Sequence, residues 1–130
     1  MDFDLDDTQQ AIQDTARQFA RETLLPHAAH WDEARIFPRE ELRAAAELGF
    51  SGIYTSETHG GSGLGRLEAA LIFEALASAD PSTAAFLSIH NMVAWMIDRF
   101  GNEAQRARFL PAMMRGEIIA SYCLTEPGSG

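Results

Sequence analysis

Residues 80–101, DPSTAAFLSIHNMVAWMIDRFG, decide the fold. An Asp followed by Pro supplies a capping carboxylate and then a first helical residue whose missing N–H costs nothing at that position. Phe86, Ile89, Val93, Met96, Ile97 and Phe100 recur at three- and four-residue intervals, and Gly101 ends the run. The spacing predicts one long helix.

Helical patterns extend from it in both directions. From Asp7 to about Leu25, Ile12, Ala16, Phe19, Ala20 and Thr23 form a stripe behind capping aspartates. Pro26 predicts a kink or break, with a further turn or two through Trp31. Phe37-Pro38-Arg39-Glu40-Glu41 opens a short helix with an apolar face of Leu42, Ala45, Ala46 and Leu48, closed by Gly49. Glycines 52, 60, 61, 63 and 65 mark residues 50–65 as loop. Leu67 to Ala79 is apolar nearly all round, which predicts a helix buried on more than one side. Asn102-Glu103-Ala104-Gln105 has the form of a capping box and opens a fifth helix, in which Pro111 predicts a break before Met113 and Met114.

The pattern changes at Ile118. Ile118, Ala120, Tyr122 and Leu124 alternate with Ile119, Ser121, Cys123 and Thr125 as in a strand, yet nothing upstream reads as a partner strand. The fold class is therefore all-α: a helical domain over residues 1–116, followed at 117–130 by the first strand and turn of a truncated β-domain.

Composition narrows the functional classes. With 46% hydrophobic and 22% charged residues the 130-residue chain is ordinary globular material, long enough to bury a core without disulfides or a structural metal. A net charge of −9, from 19 acids against 10 Arg and no Lys, argues against nucleic acid and against anionic membrane surfaces as partners. Four of the acids, Asp2, Asp4, Asp6 and Asp7, fall in the first seven residues. One cysteine, Cys123, fits a reducing compartment, and no His/Cys cluster has metal-ligand spacing. The absence of a long apolar run and the acidic N-terminus, with no targeting segment seen, read as a cytoplasmic, bacterial-like protein or as a processed mature form.

Few residues invite a chemical reading. His90 beside Asn91 offers a base or ligand, but without a second His, Cys or carboxylate at site spacing the reading favours packing or hydrogen bonding. His27 and His30 lie one turn apart without a third ligand. Met92, Trp95 and Met96 line either a ligand slot or, by their helical spacing, plain core. The glycines at 60–65 lack the Lys-Ser/Thr of a phosphate loop. The segment 122–130, YCLTEPGSG, stands apart, because a chain leaving a domain through Thr-Glu-Pro-Gly offers unpaired backbone groups and a hydroxyl, suited to the polar edge of a planar heterocycle. An ordinary Pro-Gly turn has the same letters.

That segment resembles the flavin-binding signature of the acyl-CoA dehydrogenases. Glu47-Leu48-Gly49-Phe50, Gly60-Gly61-Ser62-Gly63-Leu64, Ser88-Ile89-His90-Asn91-Met92 and Phe100-Gly101-Asn102-Glu103 are similar to that family's N-terminal helical domain, so the resemblance covers essentially the whole chain. SIHNM followed by AWMID and FGNE is most similar to members acting on a short branched acyl-CoA such as isobutyryl-CoA, in valine breakdown. The resemblance implies FAD as cofactor, an acyl-CoA substrate, electron-transferring flavoprotein as partner and a homotetramer when intact. It implies α-proton abstraction with β-hydride transfer to flavin N5. It places Tyr122, Leu124 and Thr125 along the flavin, with the Leu124 main chain and the Thr125 hydroxyl as hydrogen-bond partners. Ala85, Ser88, Ile89 and Met92 would line the acyl pocket. The catalytic Glu of the family lies in its C-terminal bundle, so no catalytic residue is assigned in this chain, which is expected to be inactive alone. Two other readings share the same letters: a non-catalytic helical interaction module derived from a dehydrogenase subunit, and an acyl-CoA oxidase of the same superfamily.

Overall fold

The computed structural model describes residues 4–129 and contains six α-helices. Met1–Phe3 and Gly130 lie outside the described residues, and with them Asp2 of the acidic cluster and the last residue of the YCLTEPGSG segment.

Helix α1 (Asp7–Phe19) begins as the aspartates predict. The Asp6 carboxylate accepts from the Gln9 N–H at 2.8 Å, and the Gln9 side chain accepts from the Asp6 N–H at 3.2 Å. The helix runs on into one π-helical turn, Ala20–Leu24, closed by the Leu25 N–H donating to the Ala20 carbonyl at 2.9 Å. The wider turn keeps a four-residue spacing in phase, so Ala16, Ala20 and Leu24 are buried together and Leu24 replaces the expected Thr23.

After Pro26 the chain restarts as α2 (Ala28–Ala34), which continues beyond Trp31. Helix α3 (Arg39–Glu47) buries Leu42, Ala45 and Ala46, while Leu48, expected on the same face, is exposed beyond its end. Helix α4 (Arg66–Ala77) buries Ala69, Leu71, Ile72, Ala75 and Leu76 and packs against α1 on one side and against α5 (Pro81–Phe100) on another. This is the multi-sided burial that its composition predicts.

Helix α6 (Glu103–Met114) packs against α5 and corrects one expectation, for it does not break at Pro111. Proline removes one backbone bond and crowds the preceding turn, at a cost of about 3 kcal/mol. Here it stands in the last turn, and Leu110, Met113 and Met114 are all buried around Ala94 of α5. At about 1.5–3 kcal/mol for each large apolar side chain, that burial outweighs the lost bond.

The strand expected over 118–124 does not form a ladder. Among the described residues the segment pairs with nothing, and the one β-contact is an isolated bridge between Glu126 and Ser129 across the Pro127-Gly128 turn. The alternation is present in the sequence, but the backbone has no second strand to bond.

Candidate functional site

Helix α5 organises everything that follows. Asp80 caps it, accepting from the Ser82 and Thr83 N–H groups, both at 3.2 Å. Its buried face is Thr83, Ala84, Leu87, His90, Asn91 and Ala94. The bulky residues by which the helix was recognised, Phe86, Ile89, Val93, Met96, Ile97 and Phe100, all lie off that face, half-buried or exposed. The small side chains let neighbouring helices approach closely, and the polar ones are bonded.

Asn91 is 0% exposed and makes three hydrogen bonds. Its Oδ1 accepts from the Ile53 N–H at 2.7 Å, and its Nδ2 donates to the carbonyls of Phe50 at 2.8 Å and Leu87 at 2.9 Å. The glycine-rich loop is thereby fixed to α5 over a buried stretch that includes Phe50, Ser51, Ile53 and Thr55. A second tie lies two turns on from Asn91, where the Asp98 carboxylate accepts from the Ser56 N–H at 3.0 Å. Inside the loop, Gly61 is obligatory: a Cβ there would collide with the Thr55 carbonyl.

His90 is 2% exposed, and both of its ring nitrogens are engaged. Nδ1 accepts from the Ala120 N–H at 3.2 Å, so it carries no proton, and Nε2 therefore donates to the Met113 carbonyl at 3.3 Å. Burial pushes the His90 pKa below its ordinary value, an effect the Met113 carbonyl only partly opposes. The ring stacks on Phe86, with centroids 6.5 Å apart. The hydrogen-bonding reading of His90 holds.

The opposite stripe of α5 brings the expected acyl-pocket residues together. Ala85, Ser88, Ile89 and Met92 stand at i, i+3, i+4 and i+7, with Met96 one turn further, a row of about 17 Å. Ala85 and Ile89 are exposed, Ser88, Met92 and Met96 half-buried, and the Ser88 hydroxyl donates to the Ala85 carbonyl at 2.8 Å. Met92, Trp95 and Met96 are accordingly not closed core, which corrects the reading that their spacing favoured.

Met96 also lines a cleft of about 350 Å³ between α5, α6 and the exit segment, together with Val93, Ile97, Phe100, Phe109 and Tyr122. Tyr122, the first of the expected flavin residues, thus meets the end of the α5 stripe. Leu124, 68% exposed, and Thr125 lie beyond it in the open. Among the described residues neither the Leu124 backbone nor the Thr125 side chain has a hydrogen-bond partner. Sequence reasoning missed Val93, Ile97 and Phe109 as neighbours of Tyr122, because their proximity depends on how α6 folds back. Their only sequence signal is an apolar surplus on both helices.

Elsewhere the electrostatics are structural. Glu68 accepts from Gln9 Nε2 at 3.0 Å and from the Gly65 N–H at 2.9 Å, and the Gln9 bond is the main cause that holds its pKa below the usual carboxylate value. Glu117 is lowered by its hydrogen bonds and ion pair with Arg115. His27 leans on Trp31 at 5.6 Å, and the described residues contain no group of three or more His, Cys, Asp or Glu able to hold a metal. No helix among them is long and apolar enough to cross a membrane.

The family model described as "Acyl-CoA dehydrogenase, N-terminal domain" matches residues 6–117. Mitochondrial isobutyryl-CoA dehydrogenase of Dictyostelium discoideum is 58% identical over 126 residues, and that of Bos taurus is 51% identical over the same length. Each match takes in 97% of this chain and 30% of the relative, so the chain spans about a third of the length of these curated relatives. A Bacillus anthracis acyl-CoA dehydrogenase solved in complex with FAD superposes on 98% of this chain, and on 22% of its own, with a TM-score of 0.85 and 33% identity.

Proposed function

This chain belongs to the acyl-CoA dehydrogenase family, and from that premise we propose that it is the N-terminal part of an FAD-dependent enzyme that oxidises a short branched-chain acyl-CoA, such as isobutyryl-CoA, to the 2-enoyl-CoA. The observation that carries the reading is the 58% identity to an isobutyryl-CoA dehydrogenase across nearly the whole chain.

The residues at the exit fit a flavin. A ledge with an exposed Leu124 backbone, an unpartnered Thr125 hydroxyl and the Tyr122 ring against the cleft offers neutral donors and acceptors beside a flat apolar surface. When bound, FAD supplies the hydride acceptor. The part of Leu124 and Thr125 is to hold neutral hydrogen bonds on the polar edge of the ring, where pre-aimed donors favour developing negative charge. The α5 stripe from Ala85 to Met92 gives the acyl group a floor, small at Ala85 and Ser88 and bulkier at Ile89 and Met92. A methylene's difference in such a pocket is worth about 1–3 kcal/mol, enough to rank branched over straight chains but not to exclude either.

No acid of this chain is given the role of α-proton base; Glu126 belongs to the turn after Thr125. The base, the electron-transferring flavoprotein surface and the homotetramer are assigned to the protein of which these residues form the first domain.

A chimera tests the reading. The equivalent 126 residues of the Dictyostelium isobutyryl-CoA dehydrogenase are replaced by this chain, and the product is assayed for flavin content and for reduction of an electron acceptor. The expected protein is yellow and prefers isobutyryl-CoA over butyryl-CoA. A folded, flavin-loaded chimera that prefers the straight chain refutes the substrate, and a folded one that excludes flavin refutes the site.

A further inference from the structure

We propose that His90 is a positioning residue that aims the exit segment: its neutral ring, bonded to the Ala120 amide, fixes the direction from which Tyr122, Leu124 and Thr125 leave the helical domain. The role given to those three residues rests on the flavin reading above, while the clamp itself does not.

The chain's anchorage ends at Ala120. The Ile118 N–H donates to the Ala112 carbonyl at 3.2 Å, Ile119 packs on the main core, and Ala120 packs on the small cluster of Ala94, Leu110, Met113 and Met114. The Ala120 N–H to His90 bond is the last by which the described segment is tied to the helices; the next backbone bonds close the 126–129 turn on itself. Tyr122 follows two residues later at the mouth of the α5–α6 cleft. An error in backbone direction at residue 120 is carried into the residues beyond, since among the described residues no hydrogen bond to the helices follows it and only the Tyr122 ring still rests at the cleft.

His90 is built to hold that one amide. Its position is set on three sides: by the α5 backbone, by the Phe86 ring and by the Met113 carbonyl, which takes the Nε2 proton. With that proton placed, Nδ1 is left as a pure acceptor, and the Ala120 N–H is the donor that meets it. Met113 belongs to α6, so the same ring references the exit segment to both α5 and α6, the two helices that form the cleft.

The two arms of the ring can be replaced separately. Asn reproduces the reach of Nδ1, with an oxygen able to accept from Ala120, whereas Gln reproduces the reach of Nε2, with an amide able to donate to Met113. Nitrogen-15 NMR of the chain at about pH 7.5 is expected to show an unprotonated Nδ1 and a protonated Nε2 on His90. Amide exchange at Ala120 is expected to speed up about tenfold in His90→Gln and to stay within about twofold of wild type in His90→Asn, with Ala94 and Leu110 as internal controls for general loosening. A protonated Nδ1 in the wild-type chain, or two variants that alter the Ala120 amide alike, overturns the proposal. No flavin enters this measurement, so a chimera that rejects flavin would leave the clamp standing, and a failed exchange pattern would leave the flavin reading standing.

Discussion

Asn91→Ala should be among the most damaging single substitutions in this domain, and the structure says by how much. Three hydrogen bonds are lost, but not all three partners are orphaned. The Leu87 carbonyl keeps its ordinary helical bond from the residue 91 N–H, whereas the Ile53 N–H and the Phe50 carbonyl have no other partner and are sealed from water. Each buried group left unmade costs about 1–3 kcal/mol, so the pair costs about 2–6 kcal/mol against a total stability of about 5–15 kcal/mol for a domain. In equilibrium urea unfolding, with a slope of about 2 kcal/mol per molar, the midpoint should fall by about 1–3 M without a change of slope. Asn91→Leu separates the causes. It refills the space with apolar atoms but bonds neither group, so it should recover little of the loss if unmade hydrogen bonds dominate. A midpoint shift below about 0.5 M for Asn91→Ala, or near-full recovery by Leu, would refute the claim that Asn91 holds the loop by directional bonding.

Three further outcomes are expected. Thr55→Val should raise the urea midpoint, by the equivalent of about 1 kcal/mol, because Thr55 is fully buried and its hydroxyl has no partner among the described residues; a destabilised variant would show that the hydroxyl is bonded in solution. Gly61→Ala should cost at least about 2 kcal/mol, since the new methyl displaces the Thr55 carbonyl that accepts the Gly63 N–H at 3.0 Å, and a thermal midpoint unchanged from wild type would contradict that packing. For His90 the folded pKa lies below the unfolded value of 6.5, so as pH falls through 6.5 the unfolded chain takes up a proton that the folded chain refuses. The stability contribution is full above that value and declines below it, by at most about 1.4 kcal/mol per pH unit, until the folded pKa is passed. Urea midpoints between about pH 7.5 and 5.5 should show this slope in the wild-type chain and lose it in His90→Asn.

Much of this architecture was legible because its helices carry local signals. The aspartates before α1, Asp80 with Pro81 and Asn102 with Gln105 set three helix starts at the residues observed, since a cap is a short-range bond between neighbours in sequence. The phase of burial was less legible. Periodicity located α5 through Phe86, Ile89, Val93, Met96 and Phe100, yet the core received Ala84, Leu87, His90, Asn91 and Ala94. Hydropathy does not mark Asn91 as interior, because its burial depends on a donor and an acceptor 38 and 41 residues away in sequence. Similarly, the π-turn that moves Leu24 into the core, and the continuation of α6 through Pro111, follow from contacts that no window of neighbouring residues contains. Of the candidate site, the α5 row from Ala85 to Met92 was named only through the family resemblance, while the meeting of Tyr122 with Val93, Ile97 and Phe109 depends on α6 returning along α5.

The inverted character of α5 has a physical logic that joins fold to function. A helix held by bulky apolar side chains must bury them, and then has none to offer a ligand or a following domain. Here α5 is fixed by one large apolar residue, Leu87, together with small residues and two satisfied polar side chains, Asn91 gripping the glycine loop and His90 gripping the exit segment. Directional bonds hold orientation more tightly than area does, because they fail with small displacements whereas apolar contact tolerates sliding. The large apolar residues are thereby left on the open side, Ile89, Met92 and Met96 in one row that ends at Tyr122. A helix presenting an apolar row toward a segment with free neutral hydrogen-bonding groups is the surface that the proposed reading needs, an acyl chain lying beside a flat polar-edged ring.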